Sequence, residues 1–159
     1  MNHDEVEIMY VDDVVVKRRP GTQADISICE SIVKENMAHY RTVGKESWDH
    51  NFFVANCEAG RMSIIEQRDA PIGFYRIDTD PLDDSGRHIG EFHLLAQYRN
   101  LGIGEKILQT ISDDAERAGK KRITLRVYKN NPAKHLYERC GYEYVSDDDD
   151  KTIIMKKKI

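Results

Sequence analysis

Arg99-Asn100-Leu101-Gly102-Ile103-Gly104 joins an apolar, strand-like run, Ile89 to Ala96, to a strongly amphipathic helix. A strand, a glycine turn and a helix start, in that order, make a holder for anionic phosphate. The first backbone N–H groups of a helix have no partner within it, and the helix dipole adds partial positive charge there. Glycine at 102 and 104 keeps Cβ atoms away from a ligand approaching those groups. Two nucleotide-binding devices do not fit. A nucleoside-triphosphate loop needs Gly-Lys followed by Ser or Thr, whereas Gly104 is followed by Glu105 and Lys106. A dinucleotide fingerprint needs a third glycine where Ile107 stands.

Groups able to move protons lie on both sides of this turn. Glu91 and His93 share one side-chain parity of the preceding strand, opposite Phe92 and Leu94, and either can accept a proton. Tyr137, further along, carries a phenol that is a donor at neutral pH. The cysteines, Cys29, Cys57 and Cys140, are odd in number and widely spaced. That pattern fits reduced thiols and no metal cluster, and no Cys-His nucleophile pair stands out.

The elements that position these residues follow from periodicity. Glu5 to Val11 and Val14 to Arg18 read as strands around Asp12-Asp13. Thr22 opens a helix with Asp25 completing an acidic capping box, and its stripe is Ile26, Cys29, Ile32, Val33, Met37 and Tyr40. Residues 43–51 read as a loop or short helix. Arg61 to Glu66 and Pro71 to Asp78 form a hairpin across Arg68-Asp69-Ala70, and Asp80 to Arg87 is a polar loop. The central helix spans Ile103 to Ala118, burying Ile103, Ile107, Leu108, Ile111, Ala115 and Ala118, with Gly119 at its C-cap. Arg122 to Tyr128 is a strand. Asn131 caps a helix with Pro132 in its first turn, ending at Cys140-Gly141. Tyr142 to Val145 and Thr152 to Lys156 close the chain as a hairpin across a solvated acidic turn, Asp147 to Asp150. The consecutive apolar residues Leu94, Leu95 and Ala96 are compatible with a bulge.

This order predicts an α/β fold, α+β by stricter bookkeeping: one mixed sheet of six to seven strands flanked by about four helices. The strand-helix-strand crossover implies a parallel pair. At 159 residues the chain fits a single domain, 1–159, with 1–13 an extra strand or a flexible N-terminus. Apolar residues make up 40% and charged residues 33%, the balance of a soluble globular protein. No apolar run approaches the ~20 residues that span a bilayer. The acidic start lacks the features of a signal peptide, so the expected setting is cytoplasmic, with no membrane partner. A net charge of −4 argues against nucleic acid as a partner.

Two segments together resemble one family. Arg99-x-x-Gly102-x-Gly104, preceded by Phe92 and Leu94, is similar to the acetyl-CoA signature of the GNAT N-acetyltransferase superfamily, Arg/Gln-x-x-Gly-x-Gly/Ala. Leu125 to Tyr142 resembles its later motif, which ends in Ala-x-x-Leu-Tyr-Glu-x-x-Gly-Phe. Here that ending reads Ala133-x-x-Leu136-Tyr137-Glu138-x-x-Gly141-Tyr142. The resemblance covers residues 87–145 in detail and the first eighty only in layout. It implies a twisted sheet splayed between its fourth and fifth main strands, with CoA in the opening. Pantetheine would pair with the backbone of about Phe92 to Leu95, and pyrophosphate would sit on the N–H groups of Arg99, Asn100, Leu101, Gly102, Ile103 and Gly104. Tyr137 would protonate the departing thiolate, and Glu91, His93 or ordered water would take the amine proton. Asn131, or Asn130 by the commoner spacing, would contact pantetheine or simply cap the helix. Tyr40, Trp48, Tyr75 and His39 fall in or near segments that form the substrate side in relatives.

The implied activity is direct transfer of acetyl from acetyl-CoA, a co-substrate used without a metal, to a primary amine of a small molecule or peptide. The alternatives are a catalytically silent acyl-CoA-binding module or a protein-interaction domain on the same fold. The expected assembly is a monomer or homodimer.

Overall fold

The computed structural model describes residues 6–38, 40, 49–80 and 83–159. Trp48 and His39 therefore lie outside the described residues, as does part of the polar loop. Among the described residues, β1 (Glu7–Val11), β2 (Val14–Pro20), β3 (Met62–Gln67), β4 (Ala70–Thr79), β5 (Gly86–Leu94), β6 (Arg122–Tyr128), β7 (Glu143–Asp147) and β8 (Thr152–Lys158) form one mixed sheet in the order β1-β2-β3-β4-β5-β6-β8-β7, eight strands against the six to seven predicted. The chain forms two compact units, Met1–Arg76 with Glu91–Ile103, and Ile77–Gly90 with Gly104–Ile159.

In the first unit, β1 (Glu7–Val11) and β2 (Val14–Pro20) form a hairpin that turns through Asp12 at φ +53°. β3 (Met62–Gln67) pairs with β2 and with β4 (Ala70–Thr79). The turn between β3 and β4 is Arg68-Asp69, at φ +52° and +60°. Two left-handed residues match the right-handed twist of a two-residue hairpin. Ala70 is already in the strand, so the turn is one residue shorter than predicted.

α1 (Ile26–Met37) follows a short 3-10 turn at Gln23–Asp25. The Asp25 carboxylate anchors this helix start. It accepts the Thr22 N–H at 2.8 Å, the Thr22 hydroxyl at 3.0 Å and two Arg19 N–H groups at 2.8 Å each. Burial pushes the carboxyl up, and the bonds from Arg19 and Thr22 more than offset this, leaving it below its usual range. α2 (His50–Glu58) was not foreseen beyond a possible short helix ending at residue 51. Asp49 starts it by accepting the Phe52 N–H at 3.1 Å. Phe53 on α2 meets Phe74 on β4 edge to face, ring centroids 5.7 Å apart, within a core that includes Ile26, Cys29, Ile32 and Val33 of α1.

β5 runs from Gly86 to Leu94, starting three residues before the predicted strand and ending two before it. Ala96 belongs instead to a 3-10 turn, Ala96–Tyr98. The Leu95 N–H donates to the Ile72 carbonyl at 2.8 Å. Leu94 and Leu95 thus mark the close of a strand where a bulge was considered. A Cβ built on Gly73 would lie 2.2 Å from the His93 carbonyl oxygen and 2.9 Å from Leu94 Cδ2. Only glycine lets β4 come this close to the end of β5.

In the second unit, β5 pairs in parallel with β6 (Arg122–Tyr128), from Gly86↔Arg122 to Ile89↔Leu125. The crossover is α3 (Ile103–Arg117), whose residues Ile107, Leu108, Ile111 and Ala115 are buried. Ala118, predicted as buried, is exposed one residue past the helix. Gly119 at φ +74° lets the Lys120 N–H return to the Ala115 carbonyl at 2.9 Å, ending the helix as its sequence suggested. β7 (Glu143–Asp147) and β8 (Thr152–Lys158) form the last hairpin, with β8 lying between β6 and β7. Arg122 binds Asp80 and Asp83, tying down the segment that leads into β5.

Two outcomes follow. Gly73→Ala should shift the end of β5 and lower stability by about 2 kcal/mol, measured by urea unfolding; an unchanged midpoint would contradict the close approach. Asp25 is held below its unfolded value, so its contribution is complete above about pH 4 and fades as pH falls through the folded value. Asp25→Asn should therefore cost about 2 kcal/mol at pH 7, with the deficit shrinking towards pH 2.

Candidate active site

The glycine turn begins where β5 stops. After the 3-10 turn, Asn100 takes φ +61° and Gly102 φ +86°, and α3 starts at Ile103. Asparagine is among the few side chains that tolerate the left-handed region, which sequence reading did not note at Asn100. Arg99, Asn100, Leu101 and Gly102 are all exposed, while Ile103 and Gly104 are buried. Exposed residues just ahead of the positive end of a fifteen-residue helix suit an anionic group.

Arg99 turns its side chain back into the protein. Its Nε and Nη2 donate to the Leu94 carbonyl at 3.3 and 3.2 Å, and Nη2 donates to Asn36 Oδ1 at 2.5 Å. Asn36 in turn donates through Nδ2 to the Leu94 carbonyl at 3.1 Å and meets His93 Nδ1 at 3.3 Å. His93 Nε2 is hydrogen-bonded to Glu91 Oε2. The His93 ring is 8% exposed and lies 5.3 Å from the Phe74 ring. Glu91, His93 and Arg99, three residues singled out in the sequence, are thus joined in one network. Asn36, its central member, was missed. The available signal was a polar residue three positions after Val33, on the apolar stripe of α1.

Phe92 and Leu95 are partly buried and Leu94 is buried. Tyr75 is 3% exposed, and its hydroxyl accepts Arg18 Nη1 at 2.8 Å. Arg18, also buried, pairs with Glu7 as well, so Tyr75 lies in a polar knot that ties β1 and β2 to β4. Tyr40 is half-buried, with its N–H on the Met37 carbonyl at 3.0 Å.

In the second unit, α4 spans Ala133–Arg139 and ends at Gly141, φ +95°. Asn131 Oδ1 accepts the Ala133 N–H at 2.9 Å, although the helix starts one residue later than expected, with Pro132 and not Asn131 at the N-cap position, while Asn130 is exposed. Tyr137 is buried on α4 and packs edge-on against Tyr142, ring centroids 5.9 Å apart. The Tyr142 hydroxyl is buried without a hydrogen-bond partner among the described residues, and burial pushes this phenol well above its usual range.

The pattern of the family described as Acetyltransferase (GNAT) family matches residues 27–142. The chain belongs to the GNAT acetyltransferase family. It is an acyltransferase. Curated relatives include an uncharacterised N-acetyltransferase, YdgE, of Bacillus subtilis, 28% identical over 118 residues, covering 71% of this chain and 69% of the relative. An N-alpha-acetyltransferase of Sulfurisphaera tokodaii is 29% identical over 124 residues, covering 76% and 73%. Among solved structures, PaiA N-acetyltransferase from Thermoplasma acidophilum in complex with coenzyme A superposes with a TM-score of 0.76 at 16% identity, covering 91% of this chain and 99% of that one. YncA of Salmonella typhimurium with acetyl-CoA gives 0.72 at 15%, covering 90% and 93%. These two likenesses establish the shared fold.

All three thiols of this acetyltransferase are pushed up by burial, Cys29 to about 12. A thiol held protonated at neutral pH is a poor nucleophile. Tyr142 occupies the position where the family motif carries Phe, and its hydroxyl is the added atom. A buried, unsatisfied hydroxyl costs stability. Tyr142→Phe should leave thermal stability unchanged or raise it by up to about 1 kcal/mol. A clear loss on melting would mean that the hydroxyl has a partner in the folded protein.

Proposed function

We propose that this protein transfers the acetyl group of acetyl-CoA directly to a primary amine. The observation that carries this reading is the exposed turn Arg99–Gly102, with Gly102 in the left-handed region at the start of α3, in a chain of the acetyltransferase family. The pyrophosphate of CoA would rest on N–H groups of Arg99 to Gly104, and pantetheine would run along the backbone of Phe92 to Leu95. CoA in the solved relatives supports this choice of ligand.

The reaction joins an uncharged amine nitrogen to the thioester carbonyl carbon and breaks the C–S bond. An ammonium ion must first lose one proton, since it has no lone pair. The nitrogen loses a second as the amide forms, and the departing thiolate gains one. One proton is therefore released per turnover from an ammonium substrate. Tyr137 is assigned as donor to the thiolate. Glu91 is assigned as acceptor of the amine proton, because both ring nitrogens of His93 are engaged within the protein, Nε2 by Glu91 and Nδ1 by Asn36. Direct transfer without an acyl-enzyme agrees with the three raised thiols.

The acceptor is a primary amine of a small molecule or a peptide. A relative named N-alpha-acetyltransferase supports including α-amino groups among the first substrates to try. Thiol release from acetyl-CoA should be followed across peptides, amino acids, polyamines and aminoglycosides. With the best acceptor, Tyr137→Phe should lower kcat by about 100-fold with little change in the KM for acetyl-CoA. Full turnover in that variant at every pH would remove Tyr137 as the acid. Tight acetyl-CoA binding without thiol release from any amine would favour a silent module.

A further inference from the structure

We infer that Asn36 is a positioning residue that sets the tautomer of His93 and, through it, the placement of the Glu91 carboxylate. No reading of the sequence singled out Asn36. The inference rests on the acetyl-transfer proposal only for its catalytic consequence.

The chain of constraint begins at Arg99. A guanidinium has donors and no acceptor. Its Nη2 lies 2.5 Å from the Asn36 side chain, so the atom facing it is the amide oxygen. This fixes which end of the amide is which, a choice that a neutral partner would leave open. The Asn36 nitrogen must then face the other way, and both of its protons have acceptors. One goes to the Leu94 carbonyl at 3.1 Å and one to His93 Nδ1 at 3.3 Å. A ring nitrogen that receives a proton from an amide carries none itself. His93 therefore bears its proton on Nε2, where it donates to Glu91 Oε2. Each group is fixed by the one before it, from a charge at the anion-binding turn to the carboxylate assigned as base.

The packing reinforces this order. His93 lies beside the Phe74 ring, 5.3 Å between centroids, and is 8% exposed, so the imidazole has little freedom to turn over. The Glu91 side chain is 14% exposed. A carboxylate held on one oxygen by a fixed N–H keeps a defined orientation for its other oxygen. Small displacements of such a group cost much in rate.

The test uses the full chain with ¹⁵N-labelled histidine. Long-range ¹H–¹⁵N spectra distinguish a protonated ring nitrogen from a bare one, and the His93 signal is assigned by its loss in His93→Gln. In the unaltered protein Nε2 should be protonated and Nδ1 bare. Asn36→Asp keeps the size of the side chain, replaces the donor facing His93 by an acceptor and can still receive Arg99. In that variant Nδ1 should take up a proton from solvent while Nε2 keeps its own against Glu91. With the best amine, kcat should fall by about 10-fold or more while the KM for acetyl-CoA stays within about twofold. Asn36→Gln, which keeps the donor, should regain part of the loss. Circular dichroism identifies a variant that has not folded, and Asn36→Ser then takes its place with the same spectra. A proton on Nδ1 in the unaltered protein, or a bare Nδ1 in Asn36→Asp, would overturn the inference. The expected protonation states in a protein that acetylates nothing would overturn the acetyl-transfer proposal and leave the Asn36 assignment standing. The expected switch with kcat unchanged would refute the catalytic consequence alone.

Discussion

A single carbonyl oxygen, that of Leu94, receives N–H groups from Asn36, from Arg99 Nε and from Arg99 Nη2. It is the last residue of β5, and the chain must there leave the sheet and reach the start of α3. A strand end leaves backbone groups without ladder partners, and here a side chain of α1 and one of the turn supply them. The 3-10 turn at Ala96–Tyr98, the left-handed Asn100 and the left-handed Gly102 then bring the chain into the helix. Gly73 completes the arrangement from β4, because any side chain there would strike the His93 carbonyl.

This use of Arg99 bears on charge. The protein has a net charge of −4, yet the ligand proposed for the turn is a polyanion. The arginine that opens the signature is engaged by Leu94 and Asn36, so its guanidinium shapes the turn. In the proposed complex, attraction for phosphate at this point would come from neutral N–H groups and the dipole of α3. Such a site depends on backbone conformation more than on the number of basic residues.

Much of this was legible in the sequence because it was local. The second half of the chain, from α3 to the final hairpin, follows periodicity and caps that lie within a few residues of one another. Gly102, Gly119 and Gly141 stand at positive φ where turns or helix ends require them. The first half was harder. α2 is built from His50-Asn51-Phe52-Phe53-Val54, residues of modest helix propensity, and its main signal was the Asp49 cap. β5 ends by tertiary hydrogen bonding, which apolar patterning cannot reveal. Asn36 and His93 are 57 positions apart, and their meeting depends on how α1 packs. Tyr75 falls in or near a segment that forms the substrate side in relatives, and the structure adds a hydroxyl bond that local sequence does not show. Its partner, Arg18, comes from another strand by register alone.

Gly102 also has a neighbour from far along the chain. A Cβ on it would come within 3.3 Å of Val11 Cγ1, at the end of β1. Val11 lies ahead of residues 27–142, which carry the family pattern. A shortened chain beginning at Val14 would retain both signature motifs and the four helices of the described residues. It would nevertheless bare one flank of the turn at Gly102. The end of β1 is thus a neighbour of the glycine turn, contributed by a stretch in which no motif would be sought.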